Sequence, residues 1–169
     1  MKRGRNAYTP GQRPLRGHTN EFPKGKGGVV FCKVCNIVYF KKSWHHNLRR
    51  HKNLHEDLAV AFVVCPACAM IQNRKYEGRV VLTNVPPLVR ENLENLIHAF
   101  THRAYQRDPL DRLIAIKKQN ATFEITTTEN QLAAKLAKKI KDVYKKVRVN
   151  VSYGHAKDKA SEITIAFLS

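Results

Sequence analysis

The four cysteines of this chain form two pairs with the spacing of metal-binding knuckles. Cys32 and Cys35 make the first pair, Cys65 and Cys68 the second, and 29 residues separate the pairs. A Cys-x-x-Cys turn directs two sulfurs toward one point, and tetrahedral zinc takes four such ligands at about 2.3 Å. We therefore predict one structural zinc ion held by all four cysteines, with no coordination position left open for catalysis.

Two other uses of these ligands stay open from the sequence. Cys35 is followed after 15 residues by His51-x3-His55, which is close to the spacing of a two-cysteine, two-histidine finger. That finger would leave the second cysteine pair unused. Disulfides would need an oxidising compartment, and the N-terminus carries no apolar segment typical of a secretory signal. The four-cysteine site employs every thiol and is the arrangement that we expect.

The charge of the chain indicates a polyanionic partner. Its 169 residues include 31 Lys and Arg against 13 Asp and Glu, a formal net charge of +18. Such a field costs self-repulsion, which nucleic acid offsets because each neutralised phosphate releases counterions. An enzyme of neutral metabolites has no need of such a charge, so we expect no small-molecule substrate. No apolar run reaches the length of a membrane-spanning helix, so we expect a cytoplasmic protein with no membrane partner.

Residues 1–28 have the composition of a disordered basic arm. Six of the eight glycines lie there, together with seven Lys and Arg and a single acidic residue. Such a segment buries too little apolar area to offset the entropy cost of ordering it. Because basic arms of this kind order on nucleic acid, we predict phosphate contacts for its four arginines, Arg3, Arg5, Arg13 and Arg16.

Residues 29–78 are predicted to form a small zinc-binding module. Apolar residues on both sides of the first knuckle indicate a short hairpin, and residues 59–64 are typical of a strand leading to the second. Ser43 is expected to cap a basic helix that runs to about Leu58, because apolar and histidine side chains recur at helical spacing. The residues of this module expected to contact nucleic acid are Lys41, Lys42, Trp44, Arg49, Arg50 and Lys52.

Residues 79–169 alternate between strand and helix patterns. The expected order is β-α-β-β-α-β-β in one layered domain, so the predicted fold class is α+β. Thr128 and Gln131 predict a capping box at the start of the second helix. The apolar stripe expected on that helix comprises Leu132, Leu136, Ile140, Val143 and Val147.

Four motifs from the second cysteine pair onward carry a family resemblance. They are CPACAMI at 65–71, EGxVxL at 77–82, DPLDRL at 108–113, and TTT at 126–128 with the following Leu132-Ala133. The chain resembles a bacterial family of small double-CxxC zinc proteins from stress-tolerance loci. That family is in turn distantly similar to the large-ribosomal-subunit export adaptor of archaea and eukaryotes. The resemblance implies four-cysteine zinc binding and contact with the large ribosomal subunit.

Two functions are compatible with these patterns. The first is a ribosome- or rRNA-binding zinc protein that acts by occupying its site, as a hibernation, stress or assembly factor. The second is a zinc-finger DNA-binding regulator with residues 44–55 as the recognition helix. The sequence carries no nucleophile elbow and no glycine-rich phosphate loop opening a helix, so we do not expect an enzyme.

Overall fold

The computed structural model describes residues 28–51, 59–152 and 161–168. These residues form two β-sheets and three α-helices, which confirms the predicted α+β class. The predicted disordered arm lies outside the described residues, apart from Gly28, which begins the first strand. Within the described ranges, no helix combines the length and the apolar character needed to cross a membrane.

The first sheet carries both cysteine pairs at one end. Its strands are β1 (Gly28–Cys32), β2 (Val38–Phe40), β3 (Ser43–His45) and β4 (Ala59–Val63), in the order β3-β2-β1-β4. β1 and β2 form the antiparallel hairpin predicted around the first knuckle. β4 runs parallel to β1, with Cys32 opposite Val63. The second knuckle, at the start of α1 (Pro66–Gln72), therefore lies at the same end of the sheet as the first.

The basic helix predicted from Ser43 is wrong over the residues that the structure describes. Residues 43–45 are strand β3, and Trp44 pairs with Tyr39 of β2. The two rings pack at 5.3 Å between centroids, and Trp44 is buried. This packing outweighs the helical spacing of the sequence, because burying aromatic rings against neighbouring strands stabilises a sheet. The rest of the predicted helix, residues 52–58, lies outside the described part of the chain.

The turn between β2 and β3 is unusual in its residues. Lys41 and Lys42 have φ of 49° and 67°, the left-handed pair that a tight two-residue hairpin turn of the primed type requires. Asn-Gly is the usual sequence at such a turn, since side chains with a β-carbon adopt these angles at a cost. The turn places both lysine side chains in an exposed position at the tip of the hairpin.

The second sheet and two long helices follow in the predicted β-α-β-β-α-β-β order. The elements are β5 (Gly78–Thr83), one turn of 3-10 helix (Pro87–Val89), α2 (Arg90–Arg107), β6 (Leu113–Gln119), β7 (Thr122–Thr127), α3 (Asn130–Val143), β8 (Val147–Ser152) and β9 (Ser161–Phe167). The strand order is β6-β7-β5-β9-β8. β5 and β9 are parallel, and the other neighbours are antiparallel.

One face of the second sheet packs against α2 and α3. Of the predicted stripe on α3, Leu132, Leu136 and Ile140 are fully buried. Val143 is 45% exposed at the end of the helix, and Val147 already belongs to β8. The buried stripe is thus shorter than predicted, because the chain leaves the helix after Val143.

The capping box predicted at the start of α3 is wrong. The N-cap residue is Glu129, and no side chain caps this helix. The Thr128 hydroxyl instead donates to the carbonyl of Leu110 at 2.6 Å and accepts from the backbone N–H of Arg112 at 2.8 Å. Thr128 therefore fixes the loop that joins α2 to β6, and this loop contributes a residue that contacts the cysteines.

Arg79 cross-links the three middle strands on the other face of the second sheet. From β5 its guanidinium donates to Glu124 of β7 at 2.9 Å and to Glu162 of β9 at 2.5 Å. The hydrogen bond from Arg79 lowers the pKa of the Glu124 carboxyl. On this face of the sheet, ion pairs between neighbouring strands therefore link β7, β5 and β9.

Candidate metal centre

The two knuckles meet because β1 and β4 lie side by side. Cys32 is the last residue of β1, and Cys35 follows in a tight turn closed by a hydrogen bond from the Asn36 N–H to the Cys32 carbonyl at 2.8 Å. Cys65 is the N-cap of α1, and Cys68 lies in its first turn. Because the two strands pair in parallel, the turn that follows β1 and the N-terminus of α1 lie next to each other at one end of the sheet.

The four sulfur atoms are arranged as metal ligands. All lie within 4.8 Å of one another, and Cys35 Sγ is 3.7 Å from Cys65 Sγ. A tetrahedral ion with bonds of about 2.3 Å separates its sulfurs by about 3.8 Å, so the observed distance fits such a site. All four cysteines are free of disulfide bonds. The cluster can therefore hold a metal ion.

Backbone N–H groups point at the sulfurs. The N–H of Cys65 donates to Cys32 Sγ at 3.3 Å, and the N–H of Cys68 donates to Cys65 Sγ at 3.4 Å. Burial raises the pKa of the Cys32 thiol, but the backbone donors outweigh this effect and lower the pKa to about 6. Burial raises the pKa of Cys68 to about 11 and raises that of Cys65 further. A soft divalent cation that displaces the protons would stabilise such poorly solvated sulfurs.

Arg112 completes the site from the other half of the chain. Its Nη2 donates to Cys35 Sγ at 3.1 Å and its Nη1 to Cys68 Sγ at 3.5 Å, so one cation contacts both knuckles. The guanidinium is held in place by a hydrogen bond from Nε to the Pro109 carbonyl at 2.9 Å and lies 5.1 Å from the centre of the Tyr105 ring. Although burial raises the pKa of the Cys68 thiol overall, the positive charge of Arg112 acts to lower that pKa.

The surroundings of the metal centre join the two sheets. The apolar cluster around the cysteines comes mainly from the first sheet, and Leu110 from the α2–β6 loop packs against it. His46, just after β3, contacts the end of α2, where its Nε2 donates to the Tyr105 carbonyl at 2.6 Å. The His46 and Tyr105 rings lie edge to face at 4.6 Å. The predicted domain boundaries at residues 28 and 78 stay predictions.

Sequence reasoning missed Arg112, Tyr105 and His46 as residues of this centre. The only available signal was the motif at residues 108–113, which the family resemblance singled out without assigning a role to its arginine. A contact between residues 35 and 112 spans 77 positions, and no local pattern encodes it.

The mixed finger is not the arrangement found among the described residues. The imidazole of His51 packs against the rings of Phe40 and His45, at 5.2 Å and 4.9 Å between centroids. The group of potential ligands around Cys32 consists of the four cysteines. His55 lies outside the described residues.

The predicted nucleic-acid contacts divide into three groups. Four cations of the first half, Lys41, Lys42, Arg49 and Arg50, are exposed in turns. Trp44 is only 6% exposed, and its indole Nε1 is buried without a hydrogen-bond partner, so its ring belongs to the core and is not available to stack on a base. The remaining predicted contacts lie outside the described residues: Arg3, Arg5, Arg13, Arg16 and Lys52.

The fold and the site together define a small α+β protein with a four-cysteine cluster, buried except for the half-buried Cys35, that can bind a metal ion. Compared with models of protein families, with curated proteins and with solved structures, the chain matches none of them. The resemblance to the double-CxxC family therefore stays a prediction from its motifs.

Proposed function

We propose that this protein binds one zinc ion through its four cysteines and binds ribosomal RNA through the basic surface that the metal stiffens. It acts by occupancy on the large ribosomal subunit, in hibernation, stress or assembly, and catalyses no reaction. The observation that carries the proposal is the four-cysteine cluster inside a strongly cationic half of the chain. A small segment needs this metal because ligation supplies folding energy that its core lacks.

Zinc is supported by the donor set. Four thiolates in tetrahedral reach are the ligands of structural zinc, and they leave no position for a substrate or an activated water. Elemental analysis of the purified chain is expected to find one zinc ion per molecule, and Cys65→Ser to abolish it. His51→Ala is the matched control, because a mixed finger would lose its metal with this variant and the four-cysteine site would keep it.

RNA is supported by the charge around the centre. From Gly28 to Tyr76, the described residues contain no Asp or Glu and seven exposed cations: Lys33, Lys41, Lys42, Arg49, Arg50, Arg74 and Lys75. A surface of one sign that surrounds a rigid core is suited to a phosphate backbone, since binding releases condensed counterions.

The alternative of a DNA-binding regulator has less support. That function requires a recognition helix beginning near Trp44, where the chain instead forms strand β3. Ribosomal RNA offers loops and irregular backbone that accommodate turns and strands without a recognition helix.

Co-sedimentation and competition binding test the proposal. The full zinc-loaded chain is expected to sediment with large ribosomal subunits and to prefer ribosomal RNA over duplex DNA of equal length. Affinity should fall by about three orders of magnitude or more between roughly 50 and 200 mM salt if six or more phosphates are contacted. Equal affinity for RNA and DNA, or a protein free of ribosomes at every growth stage, would overturn the ribosomal assignment.

A further inference from the structure

We propose that the first sheet presents a stacking platform for unpaired RNA bases, with Phe62 and Phe31 as its main rings. We call the side of this sheet that points away from the cysteines the outer face. Its open part is Phe62 and Val60 of β4; Phe31, Phe40 and His45 are half-buried, and Val29 and Val38 are buried. The inference rests on the proposed RNA-binding function. It specifies that the protein contacts bases exposed in single-stranded segments.

The register of the four strands places the side chains of the platform on one face. Phe31 of β1 lies opposite Val38 of β2 and opposite Phe62 of β4, and Val38 lies opposite His45 of β3. Register partners share a face, so these four side chains form one row across all four strands. Val38 is buried within that row, so its accessible part is Phe62 with the half-buried Phe31. The Phe31 and Phe62 rings lie 5.9 Å apart with 31° between their planes. The row ends at the edge strand with two neighbouring rings.

The outermost ring is open to solvent. Phe62 is 69% exposed and Val60, its neighbour on the same face, is 58% exposed. Isolated exposed apolar residues need no explanation, but an exposed aromatic ring paired with a second ring on a sheet is suited to contact with a flat apolar partner. A nucleobase has the required shape and a π-face.

Cations border the outer face on the side of β2 and β3. Lys41 Nζ lies 5.4 Å from the centre of the Phe40 ring. His51 packs on the rings of Phe40 and His45, and the exposed Arg49 and Arg50 directly precede it in the chain. These cations lie at the edge of the sheet opposite β4, and the backbone of a strand whose bases stack on Phe62 would reach them by crossing the sheet.

Charge complementarity favours RNA over an apolar protein partner. The described residues of this half carry exposed cations and no carboxylate, which is the surface expected for a polyanion. Aromatic rings beside cations are the combination that binds single strands, where each stacked base contributes favourably and sequence matters little. In a duplex the base faces are already stacked, so the platform selects unpaired segments.

Variants of Phe62 in the full zinc-loaded chain test the inference. The probes are an unstructured RNA oligonucleotide that carries a fluorescent adenine analogue, and a duplex RNA of equal charge. Phe62→Leu keeps the apolar bulk and removes the ring, whereas Phe62→Tyr keeps the ring. We expect Phe62→Leu to lower affinity for the single strand by roughly 5- to 100-fold and to relieve quenching of the analogue. Phe62→Tyr should retain both, and the affinity for duplex RNA should change little.

The control variant is Leu88→Ala, which removes an apolar side chain that is 94% exposed and lies outside the first sheet. Zinc content and the unfolding midpoint should match the original chain in every variant.

If RNA binds but Phe62→Leu behaves like Leu88→Ala, the platform is wrong and the proposed function stands. If Phe62→Leu instead lowers self-association or protein binding while RNA affinity is unchanged, the face belongs to a protein partner and the platform is again wrong. If the unmodified chain binds neither RNA, the proposed function itself fails.

Discussion

Arg112 donates from Nη2 to the sulfur of Cys35 at 3.1 Å, although the two residues are 77 positions apart in the chain. Cys35 lies between two strands of the first sheet, and Arg112 directly precedes a strand of the second. The complex of a divalent ion with four thiolates carries a net negative charge, and a neighbouring guanidinium partly neutralises that charge. Because Arg112 comes from the loop between α2 and β6, the same contact anchors the second half of the chain to the four-cysteine cluster.

Loss of the Arg112 cation is expected to weaken metal binding. Arg112→Gln should lower zinc affinity by about 10-fold, since residues that hydrogen-bond to ligands typically contribute this much or more. Competition with a chromogenic chelator measures the change. Arg107→Gln is the control, because Arg107 is exposed at the end of α2 and has no contact with the sulfurs. An equal loss in both variants would contradict a specific role for Arg112.

Removal of the metal is expected to expose Trp44. This is the only tryptophan in the chain, and it lies in the apolar cluster that includes three of the cysteines. Without an ion the cluster loses its main support, since ligation is coupled to folding in small metal-binding segments. A strong chelator should shift the tryptophan emission to longer wavelength, and re-addition of zinc should reverse the shift. Emission that is unchanged after complete removal of zinc would show that the first sheet folds without metal.

The Arg79–Glu124 contact is expected to make stability depend on pH in acid. Arg79 lowers the pKa of Glu124 in the folded chain, so the contribution is complete above the ordinary carboxyl pKa and is lost as pH falls through the folded pKa. Glu124→Gln should reduce the free energy of unfolding by about 1 kcal/mol near neutral pH. The difference from the original chain should disappear toward about pH 3 or below.

Asp142→Asn provides the control for this measurement, because Asp142 is exposed on α3 and has no contact with Arg79. Denaturant unfolding at several pH values should show no loss of stability for Asp142→Asn near neutral pH. A deficit of Glu124→Gln that persists unchanged into acid would contradict the ion-pair explanation.

The second half of the fold was predictable because its patterns are periodic and regular. The buried positions of α3 recur at helical spacing, and those of β9 alternate, so each element had one consistent interpretation. The segment around Trp44 had two possible interpretations, a helix and a strand. Its apolar spacing is typical of a helix, but it forms a strand after a hairpin turn. That turn consists of Lys41 and Lys42, whereas Asn-Gly at these positions would have predicted it.

The ligands of the metal centre were predictable and its surroundings were not. Two Cys-x-x-Cys motifs are short-range signals, and the four cysteines lie together as expected. The parallel pairing of β1 with β4 that brings them together was not predicted. The Arg112 contact depends on how the two halves of the chain pack. Thr128, whose sequence position suggested a helix cap, instead holds the loop that carries Arg112. Such roles emerge only in the folded molecule.

The most direct test of the proposed function is to measure RNA affinity as a function of bound zinc. Zinc-free chain would be titrated with zinc, and binding to ribosomal RNA recorded by fluorescence anisotropy at each step. We expect affinity to rise with zinc and to reach its maximum at one ion per chain, with Cys65→Ser showing no rise. RNA affinity that is the same with and without zinc would contradict a surface that depends on the four-cysteine centre.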